Sequence, residues 1–177
     1  MASSVYFYNN GTTLDLSADK LIDTGQPVLV ALTGLDGSLD GINKTTITTL
    51  KLGGNSFTTI PANIFTTFPN LTTFGIQSNN SLTTLYANSF SGLNLTNLDL
   101  YGCVNLTTLP ANVFNNLSVS GTLNLSGNTA LTTLTAGCFA GLTLTGDLRL
   151  DQNILPGTIP VNIFDGLSYR RRFIFKQ

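Results

Sequence analysis

The chain has no histidine, one methionine and two cysteines among its 177 residues, and only 10% of it is charged. Lack of histidine removes the commonest general base and the commonest metal ligand, so neither a catalytic site nor a metal nor a cofactor is expected. Eight Lys and Arg stand against nine Asp and Glu, for a net charge of −1. Without clustered cations, nucleic acid is not expected as a partner. No apolar run reaches the length of a membrane-spanning helix, so no membrane span is expected. Met1-Ala-Ser-Ser lacks the basic start and apolar stretch of a secretory signal. Cys103 and Cys138 are too few to fix a redox compartment.

What is present is apolar or neutral and polar. Hydrophobic residues make up 42%, enough for one domain with a continuous core. Thr, Asn, Ser and Gly supply most of the polarity.

These residues recur in phase. Phe65, Phe90, Phe114, Phe139 and Phe164 repeat at 24 or 25 residues, and so do Asn55, Asn79, Cys103, Asn128 and Asn153. Between them lie Ile60, Leu85, Leu109, Leu134 and Ile159, three of them followed by proline. Before each landmark comes an alternating apolar pair: Leu50/Leu52, Phe74/Ile76, Leu98/Leu100, Leu123/Leu125 and Leu148/Leu150. Period-two alternation predicts a short strand with one buried face. One strand per turn, with a return path too short for a long helix, predicts a stacked parallel sheet. The landmark asparagines then form a ladder, each amide serving backbone groups at the corner after the strand. Cys103 interrupts that ladder as a small buried substitute.

The pattern Leu-x-x-Leu-x-Leu-x-x-Asn, then x-x-Leu-x-x-Leu-Pro and Phe-x-x-Leu, resembles the leucine-rich-repeat family. The best copy is LTNLDLYGCVNLTTLPANVFNNL, residues 95–117. The resemblance spans roughly residues 46–167. It implies an α/β-type repeat solenoid, with a parallel sheet on the concave face, short turns or 3-10 segments on the convex face, and capped ends. The expected division is an N-terminal cap over 1–45, five repeats over 46–167 and a C-terminal cap over 168–177. In the first cap, Val5–Tyr8 and Thr12–Leu16 read as a hairpin around Asn10-Gly11. Leu14 and Leu16 mimic a repeat strand, and 27–32 (PVLVAL) fits either strand or helix. In the last, 169–177 (YRRRFIFKQ) reads as an edge strand, with Arg170–Arg172 and Lys176 as a solvated end.

The resemblance further implies non-enzymatic recognition of a protein or glycan through the concave face. There it places Lys51, Gln77, Asn97, Asp99, Tyr101, Asn124, Asp147, Arg149 and Asp151, with Asp99 and Tyr101 at the centre. Asp147 and Asp151 are two carboxylates on one strand face, an arrangement to be weighed for acid–base work. Arg149 between them argues against that use. Two alternatives are a self-assembling surface or filament subunit, and ice binding by the threonine pairs Thr58-Thr59, Thr83-Thr84, Thr107-Thr108 and Thr132-Thr133. Eight Asn-x-Ser/Thr sequons occur. Asn79 and Asn124 fall on the repeat strands and their corners. Asn10, Asn43, Asn70, Asn94, Asn105 and Asn116 are the candidates for glycosylation, consistent with an extracellular or cell-surface protein.

Overall fold

The computed structural model describes residues 8–9, 11–17, 42–155, 159–169 and 173–174. Its main element is an eight-stranded sheet. Strand β1 (Tyr8–Asn9) runs antiparallel to β2 (Thr13–Asp15), the hairpin expected around Asn10-Gly11, and Gly11 takes a positive φ of 90° there. From β2 onward every pairing is parallel. The order is β3 (Thr49–Lys51), β5 (Thr73–Gly75), β8 (Asn97–Asp99), β11 (Thr122–Asn124), β14 (Asp147–Arg149) and β16 (Phe173–Ile174). The central residues Leu14, Leu50, Phe74, Leu98, Leu123 and Leu148 pair in register and are fully buried. Leu14 therefore does occupy a repeat-strand position. Residues 27–32 and the rest of 18–41 lie outside the described residues.

The return path holds more strand than the one-sheet reading expected. A second parallel ladder joins β7 (Asn94–Leu95), β10 (Ser118–Val119), β13 (Thr143–Leu144) and β15 (Ser168–Tyr169). On the third flank β4 (Thr59–Ile60) pairs with β6 (Thr84–Leu85), and β9 (Thr108–Leu109) with β12 (Thr133–Leu134). Among the described residues the one 3-10 helix is Lys44–Thr46, capped by Asn43, and there is no α-helix. The α/β character implied by the resemblance is replaced by strands and corners.

Corners explain why no helix propagates. The second, third and fourth turns each contain three residues at positive φ. The first series is Gly54, Ser78, Gly102, Gly127 and Gln152, just past the long sheet. The second is Asn63, Asn88, Asn112 and Gly137, and the third Gly92, Asn116, Gly141 and Gly166. Glycine and asparagine tolerate this left-handed conformation best. A helix would need four or more consecutive right-handed residues to close its first turn, and the corners interrupt the chain first. Corners also bond between turns: Asn63 N–H to Asn88 O at 3.0 Å, Asn88 N–H to Asn112 O at 2.9 Å and Asn112 N–H to Gly137 O at 3.0 Å.

Inside the three flanks runs a continuous apolar core. Phe65, Phe90, Phe114, Phe139 and Phe164 stack face to face along it, with ring centroids 6.1, 5.7, 5.8 and 5.6 Å apart and planes within 20°. One turn alone cannot offset the order it imposes. Each buried apolar side chain contributes about 1.5–3 kcal/mol, while ~25 residues of backbone cost about 1–2 kcal/mol each to fix. Burial by neighbours and the hydrogen bonds between turns supply the rest.

The landmark residues form the predicted ladder. Asn79, Cys103 and Asn128 are fully buried. The Asn55 amide donates to Leu52 O at 2.7 Å and to Leu16 O, one turn earlier, at 2.9 Å. Asn79 spans Ile76 O and Leu52 O, and Asn153 spans Leu150 O and Leu125 O. The amide oxygen faces the preceding turn: Asn128 Oδ1 accepts Cys103 N–H at 2.7 Å, and Asn153 Oδ1 accepts Asn128 N–H at 2.8 Å. Cys103 keeps only a weaker version. Its thiol donates to Ile76 O at 3.4 Å, and Asn79 N–H points at its sulfur.

Candidate functional site

Because strand residues alternate, those flanking each buried centre stand on the outer face of the long sheet. Parallel register sorts them into rows crossing the turns. One row runs Thr49, Thr73, Asn97, then Thr122 beside Asp147. The next runs Lys51, Gly75, Asp99, Asn124, Arg149. Two residues further along each chain come Gly53, Gln77, Tyr101, Ser126 and Asp151. All nine sequence-predicted residues therefore belong to this one face or its edge.

They divide into three groups. At the N-terminal end Lys51 Nζ stands 3.7 Å from the mostly buried Asp15 carboxylate. Gln77 comes next. Its side chain lies across Gly53 of the preceding turn and Gly75 of its own, so a Cβ added at Gly53 or Gly75 would meet it at 2.9 or 2.6 Å. Gln77 Oε1 is buried there without a hydrogen-bond partner.

The third group holds most of the chemistry. Asp99 accepts from Tyr101 N–H at 3.0 Å and from Asn124 Nδ2 at 3.1 Å. Asn124 Oδ1 in turn accepts from the buried Ser126 backbone and hydroxyl. Arg149 grips Asp151 with two nitrogens, Nε at 3.2 Å and Nη2 at 3.0 Å. The hydrogen bond that Arg149 donates to Asp151, with Asp99 and Tyr101 contributing from further away, raises the Arg149 pKa above its ordinary value against an opposing loss of hydration. Asp151 is buried beneath this contact, whereas Asp147 is half-buried and makes no ion pair with Arg149. The two carboxylates thus sit in unlike surroundings and do not form a matched pair.

Tyr101 stands beside these groups, 45% exposed. Its ring lies over Gly127, where a Cβ would come within 2.8 Å of it. Asn97 is exposed and its Oδ1 accepts Thr122 N–H at 2.9 Å. The result is a surface of fixed donors and acceptors around one exposed aromatic ring.

Other sequence-predicted positions fall elsewhere. The threonine pairs line the third flank in register, Thr59 against Thr84 and Thr108 against Thr133. Of the sequons, Asn79 is in the core and Asn124 is bound to Asp99. Asn43 caps the 3-10 turn, while Asn70 and Asn105 donate to Thr45 O and Asn80 O. Asn94 and Asn116 are exposed, with side chains not engaged in hydrogen bonds, and Asn10 lies outside the described residues.

The second ladder is the feature sequence reasoning missed. Leu93-Asn94-Leu95, Leu117-Ser118-Val119 and Leu142-Thr143-Leu144 show the same period-two signal as the long sheet. Their outward residues Asn94, Thr96, Ser118, Ser120, Thr143 and Thr145 line a shallow, uncharged depression of about 330 Å³.

Among the described residues no group of three or more His, Cys, Asp or Glu gathers where a metal could bind, and no helix is long and apolar enough to cross a membrane. Both cysteines are free and fully buried. Burial pushes the Cys103 thiol up to about 11 and the Cys138 thiol up to about 12, against smaller lowering contributions from backbone N–H groups. Neither is available as a thiolate nucleophile.

Comparison with known proteins agrees with this architecture. No curated protein matches the chain. The family model described as "Leucine rich repeat" matches residues 45–104, about a third of the chain. Beyond the matched stretch the same phase continues through β11, β14 and β16 without a break in register. Over residues 45–104 the chain is thus similar to the leucine-rich-repeat family, whose solenoids serve in general as protein-interaction modules.

Proposed function

We propose that the chain is a non-enzymatic recognition module that binds a protein or glycan through the outer face of the eight-stranded sheet, the concave face in the family's geometry. The observation that carries this reading is the group around Tyr101. An exposed aromatic ring stands beside Asp99, Asn124 and Arg149, whose side chains are held by bonds to Ser126, to Asp151 and to each other. Such preorganisation lowers the side-chain entropy lost on binding. Aromatic and arginine residues at the centre of a contact surface carry most of its energy. Aromatic faces also stack on the apolar faces of sugar rings, and planar amides and carboxylates suit hydroxyl groups.

An extracellular or cell-surface setting fits the low-charge, hydroxyl-rich surface and the exposed sequons at Asn94 and Asn116. Both sequons lie away from the strands of the long sheet, so glycans there would leave its face open.

The test is binding of the full chain to printed arrays of neutral and acidic oligosaccharides and of peptides. It compares wild type, Tyr101→Ala, Arg149→Ala and a third-flank control, Thr133→Ala. Loss of Tyr101 is expected to cost about 2 kcal/mol, close to thirtyfold in affinity, with Thr133→Ala unchanged. Ligands held equally well by both long-sheet variants would refute the assignment.

A further inference from the structure

The flank that carries the second ladder is the plainest surface of the solenoid. Its inward residues Leu95, Val119 and Leu144 are buried, and its outward residues form two ranks. Asn94, Ser118 and Thr143 stand in register in the first. Thr96, Ser120 and Thr145, two residues further along each strand, form the second. Thr46 and Asn70 extend the first rank by phase, and Thr48 and Thr72 the second, with Ile47 and Leu71 buried between them. None of these side chains is charged, aromatic or longer than asparagine.

The scaffold fixes both ranks. Thr72 N–H donates to Thr48 O at 2.9 Å and Thr96 N–H to Thr72 O at 2.7 Å. Three hydroxyls donate along the stack: Thr48 Oγ1 to Thr12 O at 3.4 Å, Thr72 Oγ1 to Thr48 O at 3.1 Å and Thr145 Oγ1 to Ser120 O at 3.3 Å. Among the described residues, the side chains of Asn94, Thr96, Ser118, Ser120 and Thr143 make no hydrogen bond to the protein. Their donors and acceptors are therefore satisfied from outside. Parallel strands set the step along each rank at about 4.8 Å, and two residues of strand set the ranks about 6.6 Å apart. Crystalline water, with tetrahedral hydrogen bonds of about 2.75 Å, repeats at about 4.5 Å in one direction and about 7.3 Å at right angles to it. Both spacings agree to about a tenth, and from Thr46 to Thr143 the mismatch along a rank accumulates to about 1.2 Å, less than half of one hydrogen bond.

We propose that this flank binds ice, its two ranks of hydroxyl and amide groups taking the places of water oxygens on one face of the crystal. The chemistry of the surface selects that ligand. A charged side chain would hold a hydration shell of its own out of lattice register, and these ranks have none. A sugar ring would call for an aromatic platform, and the ranks offer no ring. The depression of about 330 Å³ has hydroxyl and amide walls over Leu95 and Val119. Waters in it bond to the walls and to one another, and the apolar floor does not compete for them. The threonine pairs of the third flank suit this use less well. Their registers stop at Thr59 with Thr84 and at Thr108 with Thr133, and Tyr86 stands 51% exposed beside them. Ice binding here is independent of the ligand face on the long sheet.

The test is thermal hysteresis and capture by slowly growing ice. It uses the full chain made without N-linked sugar, because a glycan on Asn94 would fill the depression. Wild type is compared with Ser120→Tyr and Thr143→Tyr, which raise a bulky ring from the ranks. Ser120→Thr keeps the hydroxyl, and Thr133→Tyr places the same ring on the third flank. Ser120, Thr143 and Thr133 are all exposed, and unchanged far-ultraviolet circular dichroism verifies that each variant folds. Wild type, Ser120→Thr and Thr133→Tyr are expected to enter the ice and to hold the freezing point below the melting point. Ser120→Tyr and Thr143→Tyr should lose both effects, down to the level of an inert protein of the same size. A wild type excluded from ice, activity kept by both Ser120→Tyr and Thr143→Tyr, or an equal loss in Thr133→Tyr would overturn the proposal.

Discussion

Replacing Cys103 with asparagine should make the protein more stable, although it puts a larger polar side chain into a fully buried site. At Asn55, Asn79 and Asn153 the amide donates to two carbonyls, one in its own turn and one in the turn before. Asn128 and Asn153 also accept the landmark N–H of the preceding turn. Cys103 offers one thiol contact to Ile76 O at 3.4 Å and a sulfur facing Asn79 N–H. Asparagine would add a bond to Leu100 O and convert both sulfur contacts into amide ones. A net hydrogen bond contributes about 1 kcal/mol, and the two conversions add a few tenths each, for about 1.5 kcal/mol in total. Space is not the obstacle, because Asn79 and Asn128 occupy the same phase fully buried. For a chain of this size the gain is roughly 3–6 °C in Tm. The assay is thermal unfolding with Cys103→Ala as control, together with hydrogen exchange at the Asn79 amide. That amide should slow in Cys103→Asn and not in Cys103→Ala. A folded Cys103→Asn protein with an unchanged or lower Tm would refute the ladder as a source of stability.

Two further outcomes follow from the packing. A Cβ at Gly146 would fall 1.5 Å from the backbone oxygen of Gly121, whereas one at Gly92 meets nothing within 4 Å. Gly146→Ala should therefore cost about 3 kcal/mol or more by forcing two turns apart, against about 1 kcal/mol for the strained φ of Gly92→Ala; similar urea midpoints would contradict this. Neither cysteine should react with a thiol reagent at pH 8 until the chain unfolds. Their pKa values rise on folding from an ordinary 9.0, so unfolding releases protons at alkaline pH. Stability is fully kept below pH 9, then falls by at most about 1.4 kcal/mol per pH unit for each thiol. The fall ends only as the native thiols ionise at about 11 and 12. Flat stability between pH 9 and 11 would contradict their burial.

The fold was legible wherever a residue type repeats with a physical reason. The phenylalanine row, the asparagine ladder and the buried centres of the long sheet all carry such a signal, because burial admits few side chains. Leu14 and the Asn10-Gly11 turn announced the first strand in the same way. The return path was harder to read. Its strands are two residues long, and its corners depend on asparagine or glycine at a positive φ, a property of the backbone and not of hydrophobic pattern. Alternation at Leu117-Ser118-Val119 would have given the second ladder. On the ligand face, register brings Asp99, Asn124 and Arg149 together as periodicity implied. The pairing of Arg149 with Asp151 alone, and the cover that Gln77 makes over Gly53 and Gly75, depend on side-chain conformations that spacing does not encode.

Internal deletion puts the stacking of turns to the most direct trial. Removing residues 118–142 takes out one whole turn, because Ser118 and Thr143 pair in register. The shortened chain should keep its strand-rich circular dichroism and melt cooperatively. Removing only residues 118–129 shifts every later strand to the wrong flank and should leave the chain unfolded. Equal folding of the two deletions, or equal failure, would contradict a solenoid held together by in-phase turns.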